Sequence, residues 1–288
     1  MKELVGDILR KLDDDAPIMT IDTVSGGDIN EALFVETEKQ DYFFKLNQQV
    51  PSHFFRVEAE GLKRIRESRS IRVPEVYYFD EPENGEPGAL AMEWIHSGKL
   101  KPASELGRQI AQMHKQTGEA YGFGEPTFVG QLDQPNDWCS AWTDYYADFR
   151  LKSQLQYGIS NGRITGQRRS RLEQLIAYLD RWVPAHPQAS LLHGDLWGGN
   201  WMADENGSPC LIDPSVLYGD PCFDLAMTEL FGGFPSEFLH HYREVADLPP
   251  HYHDTKPIYQ LFYLLVHLNI FGESYGGQVD RILKHYAG

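Results

Sequence analysis

Cysteine is scarce in this sequence: 288 residues contain three, Cys139, Cys210 and Cys222. They are odd in number and widely spaced, so they form neither a metal-ligand pattern nor a disulfide framework. A reducing, cytoplasmic setting is therefore expected. Long hydrophobic runs are missing as well. The longest, from Leu261 to Phe271, is interrupted by His267 and Asn269 and is too short to span a bilayer, so no membrane partner is expected. The first fifteen residues carry charge throughout, lack the apolar core of a signal peptide, and read as an amphipathic helix. Basic residues are the minority, 26 Lys and Arg against 42 Asp and Glu, for a formal net charge of −16. A polyanion would be repelled before specific contacts formed, which argues against a nucleic-acid partner. Internal repeats and low-complexity tracts are absent too.

What remains suits one large domain or two lobes, since 41% of residues are hydrophobic. Short β-like runs occupy Ile18 to Ile21, Glu31 to Glu36 and Tyr42 to Leu46, separated by turns at Ser25 to Asn30 and Glu38 to Asp41. Residues 53–67 have helical spacing. Strands are expected at Val73 to Phe79 and Ala89 to Ile95, around the turn Glu81 to Gly88. After a linker near Ser97 to Pro102, helical patterns dominate at 103–116, 137–156, 167–183, 222–231, 235–245 and 255–271. A β-rich stretch at 191–213 lies in their midst. The expected architecture is α+β and bilobal, in the layout of a protein-kinase-like fold. Residues 1–95 would form a small β-rich nucleotide-binding lobe. Residues 96–288 would form a larger helical lobe with the catalytic loop and acceptor site.

The chemistry concentrates in His193-Gly-Asp195-Leu-Trp197-Gly-Gly-Asn200, followed by Asp213-Pro214. Phosphoryl transfer needs one carboxylate to orient a hydroxyl and further oxygens to hold Mg²⁺ against nucleotide phosphates. Asp195 fits the first task as catalytic base. Asn200 and Asp213 fit the second, as neutral and anionic oxygen ligands for a hard cation. His193 reads as a brace of the loop rather than a proton carrier, and Asp224 as a structural partner of the loop backbone. Three further pieces lie in the order a nucleotide site requires. Gly26 and Gly27 sit in a turn between strands, where backbone can approach phosphates. Lys45 stands amid aromatics one strand later, where it must either emerge on the solvated face or have an anionic partner. Glu58, beside the apolar face of the next helix, is the expected partner, with Glu60 in reserve. Met92, Glu93, Trp94 and Ile95 fall where a lobe connector would pair with adenine. Trp138 and Trp197 are candidates to line the acceptor pocket.

With these residues in hand, the chain resembles the fructosamine kinase family, within the aminoglycoside-phosphotransferase and protein-kinase-like group. The likeness runs nearly end to end. His-Gly-Asp-x4-Asn is shared by the whole group, whereas Leu196-Trp197, Pro135-Asn-Asp-Trp138 and Phe231-Gly-Gly-Phe234 are narrower marks. The resemblance implies ATP and Mg²⁺ as cofactors and phosphorylation of the sugar 3-hydroxyl of a ketosamine, free or on a protein lysine, after which the adduct breaks down. A monomer is expected. One departure is Asp28, where some relatives carry a cysteine in the glycine loop; a redox-sensitive disulfide there is not expected. Two readings compete with this one. The first is a small-molecule kinase for an aminoglycoside, choline or another amino alcohol, which the narrow marks oppose. The second is an inactive pseudokinase, which the intact Lys45, Asp195, Asn200 and Asp213 oppose.

Overall fold

The computed structural model describes residues 2–25, 30–48, 50–83, 85–100 and 102–288. Helix α1 (Lys2–Lys11) precedes strands β1 (Ile18–Thr23), β2 (Glu31–Thr37) and β3 (Asp41–Asn47), then α2 (Phe54–Glu67), β4 (Val76–Phe79) and β5 (Gly88–Glu93). The strands form one antiparallel sheet in the order β1-β2-β3-β5-β4. Alternation along each strand sets its two faces. Tyr42, Phe44 and Leu46 of β3 bury with Leu33, Val35, Ala89 and Ala91 against Val5, Ile8 and Leu9 of α1. The intervening residues, Phe43 and Lys45, therefore point to the opposite face, with Phe34 and Ala32 directly across from them. Helix α1 stops short of the expected residue 15 because Asp13 turns into left-handed backbone, at φ 57°. The buried Asp14 then accepts from Thr37 Oγ1 and Tyr42 OH, both at 2.8 Å. Strand β4 starts later than expected at Val76, since Pro74 lacks the N–H a ladder needs.

The rest of the chain is mostly helical: α3 (Ala103–His114), α4 (Trp142–Tyr145), a π-helical stretch Tyr146–Leu151, α5 (Lys152–Ser160), α6 (Gly166–Ala177), α7 (Pro221–Thr228), α8 (Phe238–Arg243), α9 (Tyr252–Phe271) and α10 (Gly276–Ala287). Helix α10 and the hairpin of β6 (Thr127–Val129) and β7 (Leu132–Gln134) are additions to the sequence reading. The expected helix at 137–156 begins only at Trp142, because the residues before it form a turn around Asn136. Two short antiparallel pairs interleave: β8 (Ser190–Leu192) with β11 (Leu217–Gly219), and β9 (Trp201–Ala203) with β10 (Pro209–Leu211). The catalytic segment spans β8 to β9, and Asp213 lies between β10 and β11.

One core serves both lobes. Phe55, Leu62 and Ile65 of α2 and Leu90 and Met92 of β5 join Leu106, Ile110, Leu192 and Leu211 in a single buried cluster. Polar ties run alongside. The Gly98 N–H donates to Ala203 O at 2.8 Å and the Leu211 N–H to Arg72 O at 2.9 Å. Arg72 also reaches Glu93 at 2.5 Å and pairs with Asp204. Gly98 is where the lobe connector touches the β9–β10 turn, and a Cβ there would lie 2.0 Å from the Asp204 carbonyl oxygen. Gly98→Ala should therefore cost about 1–3 kcal/mol of stability, since backbone must yield on one side. Denaturant unfolding checks this; an unchanged midpoint would mean the connector moves freely.

Candidate active site

A buried carboxylate fixes the catalytic loop. Asp224 on α7 is fully buried and accepts the His193 N–H at 2.7 Å and the Gly194 N–H at 2.9 Å. The ring of His114 touches the same carboxylate at 3.2 Å. Gly194 has φ +82°, and a Cβ there would meet the Ser215 carbonyl oxygen at 1.8 Å, so only glycine fits. Tyr263 OH donates to Gly194 O at 3.1 Å. His193 is fully buried; its Nε2 donates to Ile212 O at 2.9 Å, and its Nδ1 accepts from the Asp195 N–H at 3.3 Å. That pairing is the neutral tautomer, and burial lowers its pKa accordingly. His193 thus joins the two halves of the segment, as a brace should.

Asp195, Asn200 and Asp213 meet at the loop. Asn200 Nδ2 donates to Asp195 Oδ2 at 2.8 Å, to Asp195 O at 2.9 Å and to Asp213 O at 3.5 Å. This use of the amide nitrogen leaves Asn200 Oδ1 unbonded among the described residues. Asp213 has left-handed backbone, φ 54°, and a half-exposed side chain. Its Oδ1 accepts from Lys45 Nζ at 2.7 Å, and its Oδ2 has no partner among the described residues. Lys45 Nζ also reaches Glu58 Oε1 at 2.7 Å. Burial works to lower the Lys45 pKa, but the carboxylates of Asp213 and Glu58 outweigh it and the ammonium is held charged. Glu60 lies elsewhere, paired with Arg64 at 2.9 Å and with Lys63 at 3.6 Å. Asp195 has the reverse setting: burial, then the nearby Asp213 and Asp224, push it up to about 7 against the Asn200 hydrogen bond.

The cleft around these groups has a volume of about 590 Å³. Its other walls come from Trp197, Phe231, His267, Phe271 and Tyr275, and from the tip of the β6–β7 hairpin. The His267 ring centroid lies 4.5 Å from Phe231, 5.0 Å from Tyr275 and 5.6 Å from Phe271. His267 Nδ1 donates to Tyr263 O at 2.8 Å, and burial lowers its pKa, so Nε2 is left as an acceptor. The sequence reading missed this aromatic wall, because α9 reads as an ordinary core helix until its end is placed beside Asp195.

Other expected residues fall differently. Trp138 does not line this cleft. Its exposed ring lies 6.1 Å from that of Tyr218, in a separate groove of about 790 Å³ with Arg56, Lys63 and Phe79. The Pro-Asn-x-Trp mark is instead accounted for by Asn136. That side chain donates to Glu125 O and Thr127 Oγ1, both at 2.9 Å, and accepts from Tyr145 OH at 2.5 Å and Arg150 Nη2 at 2.9 Å. It thereby anchors the β6–β7 hairpin. The Phe-Gly-Gly-Phe mark buttresses the catalytic loop: a Cβ on Gly198 would lie 2.4 Å from Gly232 O. Of the connector, Met92 is buried and the Glu93 side chain is held by Arg72. The Trp94 ring sits 4.6 Å from Phe34 and 6.0 Å from Phe43, on the Lys45 face of the sheet. Gly26, Gly27 and Asp28 lie outside the described residues.

Comparison with known proteins places the chain as a whole. The fructosamine kinase family model matches residues 1–287. An Enterococcus faecium protein provisionally named a ketoamine kinase is 39% identical over 267 residues, 91% of this chain and 94% of its own. The chloroplastic protein-ribulosamine 3-kinase of Arabidopsis thaliana is 35% identical, over 93% of this chain and 83% of its own. A Haemophilus somnus crystal structure provisionally named a fructosamine-3-kinase superposes with a TM-score of 0.89 at 28% identity, over 99% of this chain and 97% of its own. An aminoglycoside phosphotransferase solved with ADP and hygromycin B shares the fold, with a TM-score of 0.65 at 16% identity over 98% of each chain.

The raised Asp195 pKa has a measurable consequence. Between the unfolded value of 3.8 and about 7, the folded chain holds a proton that the unfolded chain has released. Stability from this group is therefore full below pH 4 and falls as pH rises toward 7. Asp195→Asn removes that loss. In metal-free buffer with chelator, the variant should match the parent at pH 4 and exceed it by up to about 4 kcal/mol at pH 8. Parallel melting curves at both ends of the range would contradict the assignment.

Proposed function

The chain belongs to the fructosamine kinase family, and from that premise we propose how its own residues phosphorylate the sugar 3-hydroxyl of a ketosamine. It is an ATP-dependent phosphotransferase acting on ketosamines, such as fructosamines or ribulosamines. The observation that carries the assignment is the convergence of Lys45, Glu58 and Asp213, with Nζ 2.7 Å from both carboxylates, beside the linked pair Asp195 and Asn200. In this reading residues 1–95 hold the nucleotide and residues 96–288 hold the acceptor. Lys45, steadied by Glu58, holds the α- and β-phosphates, and exchanges Asp213 for them when nucleotide arrives. The adenine lies against Phe34, Phe43 and Trp94, and the backbone of the connector after Glu93 pairs with its edge. Asp195 orients the sugar hydroxyl and takes its proton. A base titrating near neutrality suits that task.

Mg²⁺ fits the donor set. Asn200 Oδ1 and Asp213 Oδ2 are oxygens without partners among the described residues, one neutral and one anionic, as a hard cation prefers. The cleft lining also calls for a cation: its described residues include Glu58, Asp195 and Asp213 but one basic residue, Lys45. The bound ion supplies charge neutralisation between these carboxylates and the phosphates. On the acceptor side, Trp197, Phe271 and Tyr275 offer faces to a sugar amine, and a protonated amine gains from aromatic faces. His267 Nε2 can accept from a sugar hydroxyl. The three unpaired cysteines support a reducing, cytoplasmic setting. No helix of the described residues is long and apolar enough to cross a membrane.

Two experiments test the roles. Asp195→Asn should lower kcat on a ribulosamine by about 10³-fold or more while nucleotide binding persists, from the loss of base and positioning; near-parental turnover would remove Asp195 from the mechanism. Glu58→Gln should raise the KM for ATP and lower kcat about 10–100-fold by releasing Lys45, whereas Glu60→Gln should change neither. A substrate panel of ribulosyl-, erythrulosyl- and fructosyl-amines, with choline and an aminoglycoside alongside, identifies the acceptor. Preference for the last two would displace the ketosamine reading.

A further inference from the structure

Away from the cleft, three donor side chains of different chemistry converge at the start of α7. Asp220, Cys222 and His251 each offer a ligand atom, and these atoms lie within 4.8 Å of one another. Asp220 caps α7, accepting the Cys222 N–H at 2.9 Å through Oδ1 and the Tyr259 OH at 2.7 Å through Oδ2. Asp220 is 1% exposed and Cys222 fully buried. His251 stands just before α9, partly buried, with an Nε2 that is closed to solvent and has no hydrogen-bond partner among the described residues. A buried imidazole nitrogen without a partner forfeits a hydrogen bond unless something else occupies it. Burial and the neighbouring Asp220 hold the Cys222 thiol protonated while nothing neutralises the pair.

We propose that Asp220, Cys222 and His251 form a binding site for one borderline-soft divalent cation of the Zn²⁺ type. One carboxylate, one thiolate and one neutral imidazole sum to −2, so a divalent ion makes the buried group electrically neutral. Nitrogen, sulfur and oxygen are the donors Zn²⁺ takes in protein sites, whereas Mg²⁺ prefers all-oxygen sets. Zinc bonds of about 2.0–2.3 Å require the donors to draw closer than they stand. His251 is the group to move, since it belongs to the turn before α9 while the other two belong to α7. Binding releases the Cys222 proton and leaves a fourth position for water. The ion joins the starts of α7 and α9, and α7 carries Asp224, the anchor of the catalytic loop. Its role is to secure that helix, separate from the metal that serves the phosphates.

Cobalt is the probe. The full chain is stripped with chelator and titrated with Co²⁺. The expected result is one equivalent bound with a near-ultraviolet thiolate-to-cobalt band and visible bands of tetrahedral strength, all displaced by Zn²⁺. Cys222→Ser and His251→Ala should each abolish the thiolate band, and Cys210→Ser should leave it unchanged. Zn²⁺ should raise the melting temperature of the parent and of neither site variant. Two other places where cobalt can settle lack sulfur: the oxygens of Asn200 and Asp213, and the surface trio His240, His241 and Glu244. Neither can produce that band. The site is overturned if the folded parent shows no thiolate band at saturating Co²⁺, or if the band survives Cys222→Ser. Should Cys222→Ser fail to fold, a band that persists in His251→Ala overturns it equally, because that change lies outside α7.

Discussion

The carboxylate of Asp224 is the constraint on which the active centre rests. It is buried with no arginine or lysine of the described residues paired to it, and it satisfies itself with two consecutive backbone N–H groups and an imidazole. Consecutive N–H groups can converge on one carboxylate only where the chain turns sharply, and Gly194 makes that turn in left-handed backbone. The turn is what throws the Asp195 side chain into the cleft. An alanine at position 224 would strand two buried donors, at a cost of about 1–3 kcal/mol for each. It would also free the loop that carries Asp195. Fold stability and catalytic geometry are thus supported by the same hydrogen bonds.

A second constraint comes from strand parity. Lys45 faces the cleft because Phe44 and Leu46 must face α1. Shifting β3 by one residue would bury a lysine beneath α1 and expose three apolar side chains, so the register cannot slip. The same parity puts Phe34 and Phe43 beside Lys45 and makes one face of the sheet both charged and aromatic. Helix α2 then closes the arrangement. Its apolar residues Phe55, Leu62 and Ile65 seat in the shared core, and that seating delivers Glu58 to Lys45 while Glu60 stays with Arg64.

Much of this was legible in the sequence because local pattern and local chemistry agree there. Strands β2, β3 and β5 alternate or run apolar, and α2 keeps its helical period, so the lysine and its glutamate could be picked by spacing. His193 to Asn200 is contiguous, so its chemistry survives without knowledge of the fold. Trp138 shows where such reasoning stops. A tryptophan next to polar turn residues reads as a binding residue, yet the side chain that organises that turn is the half-buried Asn136, whose partners span positions 125 to 150. His267, Phe271 and Tyr275 were hidden for the complementary reason. They lie more than 70 positions after Asp195, and only the packing of α9 against α7 brings them to the same cleft. Long-range packing of this kind leaves no periodic trace.

The charge of the chain, finally, bears on how a nucleotide can enter. At −16 the protein repels ATP at long range, and the described lining of the cleft holds three carboxylates against one lysine. Most of the arginines near the site do not offset this. Arg56 is committed to Glu81 and Glu125, and Arg72 to Glu93 and Asp204, so these cations hold the lobes together and carry little free charge. Lys45 alone cannot balance both its own carboxylates and a triphosphate. Coulomb repulsion between like charges at about 4 Å is some kcal/mol at a protein surface. Divalent charge arriving with the nucleotide would relieve this repulsion, and in the proposed reading Asn200 and Asp213 would supply the oxygens that hold it. On that reading the acidic lining would also discriminate, since a nucleotide without its metal would meet a net negative wall.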